Sequence, residues 1–458
     1  MKKILLVLII LLLNISILAK NNVIKIKKIN PQKQLDIINK QKRLPSFIKK
    51  RFKPKRITFP AKKEDITGNY HLLILLVDFP EDDNPKTTGN GKYDLSIPDS
   101  LFTISSPPHN AYYFEKTMIA LRYYYKAASF ENINIISHIF PKQTALSAYD
   151  STLITYTLPN EMAYYNPDMN NYDLTISRFE QLFTDIFETA DKDTSLHFAD
   201  YDGYLVIHAG SDWQHDIYGD TPNDIPSFNM TVSEDVAVAV DNGDVIIDHT
   251  SIIPETISQD GQLGSINAVM VHEMGHQFGF VDLYNTAAGF PAVGYFDIMD
   301  SGGFTFAADT LGNIIEGALP VLPCVWSRMI PWENTMREQN RLKDICELNP
   351  SSEDTFYIEI LAAEKPDNIY NPDDNKLQFI KIPINNNEYF LLENRETDID
   401  NKEIALKVDS TWRVLLYPVE NVDFPDSTNF NYEYDYLLPG LGGLCIWHID
   451  DDVIYNPD

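Results

Sequence analysis

The stretch His272-Glu273-Met274-Gly275-His276-Gln277-Phe278-Gly279-Phe280-Val281-Asp282 decides how the rest of this chain is read. The pattern over 265–281 predicts a helix, and residues four apart on a helix share one face. His272 and His276 have that spacing, so two neutral imidazole nitrogens can bind one metal ion, and zinc suits such ligands. Glu273 stands beside the first histidine. A carboxylate there can take a proton from a metal-activated water as it attacks a peptide carbonyl. The bland alternative is a pair of surface histidines, and the residues that follow argue against it.

Gly279 comes three positions after His276, and Asp282 six after it. Glycine lets a chain leave a helix in the left-handed conformation and turn back. Position 282 can then return towards the metal, where an aspartate oxygen is an acceptable third zinc ligand. The spacing is that of the metzincin pattern, with Asp where His is more usual. The competing reading, in which Asp282 only caps a turn and a glutamate such as Glu316 completes the site, stays open. Further on, residues 294–300 lead to Gly302-Gly303, and Met299 resembles the methionine turn that metzincins place as an apolar floor below the metal, with a core methionine as the alternative. Tyr295 is a candidate for contact with an oxyanion or substrate, set against simple aromatic packing. Asp297 reads as a carboxylate that fixes the turn. His208, at the end of a short apolar strand over 204–208, either faces a substrate cleft or is structural. His448 reads as a packed histidine.

HEMGHQFGFVDLY at 272–284, followed by AVGYFDIMDSGG at 292–303, resembles the immune inhibitor A family of secreted bacterial metallopeptidases. LLVDF at 75–79, YYYKAASF at 123–130, VIHAG at 206–210, EYFLLENRE at 388–396 and LPGLGGLCIWHID at 438–450 carry the likeness from about residue 70 onward. The resemblance implies a metzincin-like catalytic domain, an N-terminal propeptide and zinc-dependent endopeptidase activity outside the cell. It marks His272 and His276 as zinc ligands, Glu273 as general base and Asp282 as candidate third ligand. Phe280-Val281 departs from the Leu-Pro usual before the aspartate, and Phe296 stands where Trp is commoner. Members of that family continue past the point that matches residue 458, so the resemblance implies a truncated C-terminal region, with any binding or sorting module outside this sequence.

Composition bounds the rest. Lys2 and Lys3 precede an apolar run over 4–18, too short to span a bilayer, so residues 1–19 read as a signal peptide, with an uncleaved anchor as the alternative. A secreted or cell-surface location follows, without stable membrane insertion. Residues 20–63 hold sixteen Lys or Arg and a single acid, Asp36. That leaves 19 basic and 65 acidic residues in 64–458, a net charge of −46 on the body. Such a body repels nucleic acid and anionic membranes. The basic stretch 20–64, with several prolines and no lasting periodicity, reads as a propeptide or a linker. As a propeptide it would be an intramolecular inhibitor of a cleft that takes protein or peptide substrates. It contains no Cys, so latency would come from a carboxylate such as Asp36 or from steric blockage.

The fold class expected is α+β: a metzincin-like zinc peptidase domain over 65–346, then a smaller β-rich region over 347–458. Strands are predicted at 71–79, 204–208, 356–361, 377–384, 388–393, 412–417 and 443–450, with helices at 112–128 and 172–190. Asn242-Gly243 predicts a hairpin between 236–240 and 245–247. Cys324, Cys346 and Cys445 allow at most one disulfide, and the absence of a Cys-x-x-Cys pair excludes a thiolate zinc site. Acidic loops at 81–84 and 367–375 offer structural Ca2+ only weakly, since neither has the spacing of an EF-hand. Two rival functions stand beside the peptidase: a surface binding protein that keeps the fold without turnover, and a metal-dependent hydrolase of a non-peptide bond.

Overall fold

The computed structural model describes residues 22–455, apart from 31–32, 35–41, 53–63, 98–102, 145–146, 286–289, 310, 349–354, 356, 366–375, 400 and 421–429. The expected signal peptide, Asp36 and the acidic loop 367–375 lie outside the described residues. The architecture is α+β, with several sheets and helices.

The central sheet runs, in order, Ile133–Phe140, Gly68–Asp78, Gly203–His208, His249–Pro254 and Phe228–Thr231. All neighbours are parallel except the last strand, which pairs antiparallel to His249–Pro254 and closes one edge. Tyr156–Thr157 adds a short parallel pairing to Gly68–Asp78. The run Leu72–Val77 is buried on both faces, which explains its continuous apolar sequence. The helices Ala111–Ala128 and Tyr172–Ala190 start at Asn110 and Asn171, whose side chains accept the backbone N–H of Tyr113 and Leu174. The hairpin forms as predicted, between Val238–Val240 and Val245–Ile247, with Asn242 left-handed at φ 59°.

The helix Asn267–Gln277 carries both candidate histidines and is tied to this sheet by side chains. Ser251 Oγ donates to Glu273 O at 2.9 Å, and Gln277 Nε2 donates to Tyr204 O at 2.7 Å. On another side Tyr125 Oη donates to Val271 O at 2.5 Å. The helix therefore has its rotation fixed by three contacts with the core.

Past residue 346 the chain is strand-rich. Leu342–Asp344 pairs with Phe379–Pro383, which pairs with Glu388–Glu396 and then Gly442–Asp450. This region packs tightly on the rest: the buried Arg413 donates to the carbonyls of Pro108 and Ala148, and Asn267 Nδ2 donates to Leu415 O. Two expectations differ from what is observed. Residues 357–361 form no regular strand. The strand expected from 412 begins only at Leu415, because Trp412 is left-handed at φ 63° in a turn held by the Asp409 carboxylate. Cys324, Cys346 and Cys445 are all free thiols. Residues 81–84 form a turn in which Asp82 Oδ1 accepts the Asn84 N–H.

The basic stretch is not featureless. Val23–Lys25 pairs with Ile404–Val408, Lys27–Lys28 pairs with Phe306–Ala308, and Ser46–Arg51 is a short helix. Its partners lie hundreds of residues away, so local periodicity carried no sign of them. Ile48 and Phe52 are buried, with Phe52 against Phe179 and Phe228.

Candidate metal centre

The motif helix ends as the glycine spacing predicts. Gly279 takes φ 93°, and the Phe280 N–H returns to Gly275 O at 3.0 Å. That reversal does two things at once. It brings the Phe280 carbonyl to His276 Nδ1 at 2.9 Å, and it carries Asp282 back to the helix face. Residues 297–300 lie beneath. Met299 is fully buried, its N–H donates to Asp297 Oδ1 at 2.7 Å, and its carbonyl accepts the Leu283 N–H. Gly275 is where this turn and the helix meet. A Cβ there would lie 3.0 Å from Met299 Sδ and 2.8 Å from a Phe280 ring carbon, so no larger residue fits without movement.

Each imidazole is oriented by a backbone carbonyl. His272 Nδ1 donates to Ile298 O at 2.8 Å, as His276 Nδ1 does to Phe280 O. With the proton on Nδ1, each Nε2 presents a lone pair. Both point at the same atom: Asp282 Oδ1 is 3.3 Å from His272 Nε2 and 3.6 Å from His276 Nε2. Asp282 Oδ1 is buried and receives no hydrogen bond. Ligand atoms about 2.0–2.1 Å from a tetrahedral zinc are separated by roughly 3.3–3.4 Å, which is close to the distance of Asp282 Oδ1 from each imidazole nitrogen. The ligand atoms of His272, Glu273 and His276 also lie within 4.8 Å of one another. These residues form a possible metal-binding group.

The other oxygen of Asp282 has a partner that sequence reasoning missed. Lys49 Nζ, from the short basic helix, donates to Asp282 Oδ2 at 2.6 Å and lies 4.7 Å from the centre of the Tyr284 ring. The electrostatics follow from this crowding. Burial would raise the Asp282 carboxyl, but Lys49 and His276 outweigh it and hold the group well below the usual carboxylate range. Burial would lower the Lys49 ammonium, yet Asp282, Tyr284 and Glu273 hold it above its ordinary value. Burial, aided by the Lys49 ammonium, pulls His276 down to about 4, which keeps it neutral as a ligand must be. For His272 burial is outweighed by Asp282 and Glu273, and its value is raised. Burial raises Glu273 too, into the direction a proton acceptor needs.

The remaining candidates fall elsewhere. Glu316 is 3.5 Å from His215 Nε2 across the cleft, in a set with Asp212, rather than at the imidazole pair. Asp297 is buried and accepts from Met299 N, Cys324 N and Ser327 Oγ, which makes it the clamp of the turn. Tyr295 is half-buried, its hydroxyl raised by that burial, and it does not line the cleft. His208 is buried in the central sheet away from the cleft, its Nδ1 donating to Ala209 O, and burial pulls it down to about 4. His448 bonds Glu388 on an exposed strand face. The cleft itself keeps a cavity of about 80 Å³ beside His272, Glu273 and Tyr284, walled on one side by residues 42–44 and Lys49. Lys49 was legible only as one charge among sixteen. In comparison with known proteins, no family model and no curated protein matches this chain at a significant level.

Proposed function

We propose that this chain is a secreted zinc endopeptidase with a metzincin-like catalytic domain, made in a latent form. One observation carries the reading. Two tautomer-fixed imidazole nitrogens lie 3.3 and 3.6 Å from one unpartnered carboxylate oxygen, close to the ligand spacing of a zinc tetrahedron, with Glu273 adjacent.

His272, His276 and Asp282 would hold the ion, and zinc there supplies Lewis acidity that activates a water molecule and polarises a peptide carbonyl. Glu273 does the proton work. Its carboxyl lies in the cleft beside His272, raised by burial, so it takes a proton from water and returns it to the leaving amine. Met299 and Asp297 act through the backbone: they hold the Ile298 carbonyl that orients His272. The segment 42–52 supports latency, since Leu44 and Lys49 line the same cavity as Glu273 and take up space beside it.

The test is casein hydrolysis by the chain cut at a site-specific protease sequence placed within 53–63, beside its Glu273→Ala variant, with zinc measured in both. About one zinc per chain in both is expected, with activity lower in the variant by roughly 10²–10⁴-fold. Zinc bound without cleavage of any protein by either form would favour the rival binding protein, for which Lys49 at Asp282 would be a permanent plug. Absence of zinc from both would overturn the reading.

A further inference from the structure

The basic segment does more than cover the cleft; its side chains occupy formed pockets. Lys42 reaches Asp216, with Nζ 2.8 Å from Oδ2 and 5.1 Å from the centre of the Trp213 ring. The Asp216 side chain is fully buried, and its other oxygen accepts the Asp220 N–H at 3.0 Å. The Lys42 backbone N–H donates to Gln214 O at 3.2 Å, so main chain as well as side chain is held. Gln214 is itself fixed by paired bonds with Ser227, its Nε2 to Ser227 O and its Oε1 from Ser227 N.

Arg43 has a different pocket. Its guanidinium lies 4.4 Å from the centre of the Tyr284 ring and 4.9 Å from that of Phe304. Nη2 donates to Ser301 Oγ at 3.3 Å and stands 4.0 Å from Asp300 Oδ1. Two aromatic faces and a carboxylate suit a planar cation far better than a compact ammonium. Leu44 is buried and faces the cavity that His272 and Glu273 share. Tyr284 links the two sites, since it is two residues past Asp282 and also lies under Lys49.

We infer that this cleft recognises peptides bearing two consecutive basic residues followed by an aliphatic one, and that Lys42-Arg43-Leu44 is its built-in occupant. Asp216 and Trp213 take the lysine; Tyr284, Phe304, Asp300 and Ser301 take the arginine. The inference rests on the peptidase reading for its consequence, cleavage near such pairs, but the recognition itself is a binding property. The physical reason is that the pockets belong to the body. When the segment leaves, the carboxylate at 216 loses its cation and its cover, and a basic substrate restores both the ion pair and the contact with Trp213.

The experiment uses the full chain with Lys42→Ala, Arg43→Ala and Lys49→Ala, which loosens the segment, in Glu273 and Glu273→Gln forms. Fluorescence anisotropy on the Glu273→Gln form measures labelled peptides containing Lys-Arg-Leu, Ala-Arg-Leu, Lys-Ala-Leu and Ala-Ala-Leu. A second set carries the same two charges separated by several residues. Each basic residue of the adjacent pair is expected to tighten binding about tenfold, and Asp216→Asn to remove the lysine increment alone. Equal affinity for adjacent and scattered charges would overturn the proposal, leaving only attraction by the acidic body. The peptide series needs no change at 216, so it decides the matter even if Asp216→Asn does not fold. Preferential binding without cleavage by the Glu273 form would sink the peptidase reading and leave the recognition site; cleavage of casein without preference would do the reverse.

Discussion

Lys49 and Arg395 are both cations facing aspartate, the first part-buried and the second fully buried, and they could hardly be built more differently. Arg395, fully buried in the strand Glu388–Glu396, makes a two-pronged pair with Asp435 at 2.5 and 2.7 Å. Its remaining N–H groups go to Phe296 O and Leu322 O, with Glu393 and Glu364 at 3.4 and 3.6 Å. Every donor is used, and its partners come from segments far apart in the sequence. Lys49 comes from a six-residue helix, and the carboxylate it meets keeps one oxygen unpaired towards two imidazole lone pairs. The first arrangement is saturated and internal. The second is half-satisfied and leaves one acceptor open.

The largest expected effect breaks the saturated side. Arg395→Met strands three buried acids and should cost about 3–5 kcal/mol, read as a fall in the urea midpoint, and zinc should not restore it. Because Arg395 also holds the Phe296 carbonyl next to the Met299 turn, zinc affinity should drop as well. A variant with unchanged midpoint would mean that the acids are neutral in the fold and that the pairing matters little.

Lys49→Met tests the other side. Without zinc it leaves Asp282 unpaired, and a loss of similar sign but smaller size, about 1–3 kcal/mol, is expected. Added zinc should restore the midpoint, since a ligand at a thousand times its dissociation constant contributes about 4 kcal/mol. Zinc should also bind this variant about ten- to a hundredfold more tightly than the parent, because an ammonium on Oδ2 opposes a second cation on Oδ1. Identical zinc affinities, measured by competition with a chelating dye, would mean that Lys49 and the metal do not compete.

The same contrast explains what the sequence made legible. The possible metal-binding group was readable because its geometry is local: His272 and His276 are one helical turn apart with Glu273 between them, Gly279 reverses the chain, and Asp282 and Met299 follow at short intervals. The parallel strands were readable from apolar runs such as 72–77. Lys49, Lys42 and Arg43 were not, because a charged residue declares its sign but not its partner, and theirs are some 170 to 260 residues away. For the same reason the basic stretch looked structureless, although Val23–Lys25 is paired to Ile404–Val408. Trp412 misled as a strand residue because the turn that holds it is specified by Asp409, whose carboxylate accepts three N–H groups across 411–414.

His215 stands between the two kinds of cation: internal, as Arg395 is, yet able to lose its charge. It lies in the cleft wall with Nδ1 2.5 Å from Asp212 Oδ1 and Nε2 3.5 Å from Glu316. Burial would lower it, but the two carboxylates outweigh that and push it up to about 10. Its value in the unfolded chain is about 6.5. The folded state therefore binds the proton more tightly, so its contribution to stability is complete below pH about 6.5 and disappears as pH rises towards 10. Urea midpoints measured between pH 6 and 9.5 should fall for the parent chain, and His215→Gln should flatten that decline while starting from a lower value. This is the smallest effect of the series, a change of slope rather than a loss of fold. Parallel slopes in the two proteins would show that Asp212 and Glu316 hold a neutral imidazole, and would move His215 to the side of ordinary packed residues.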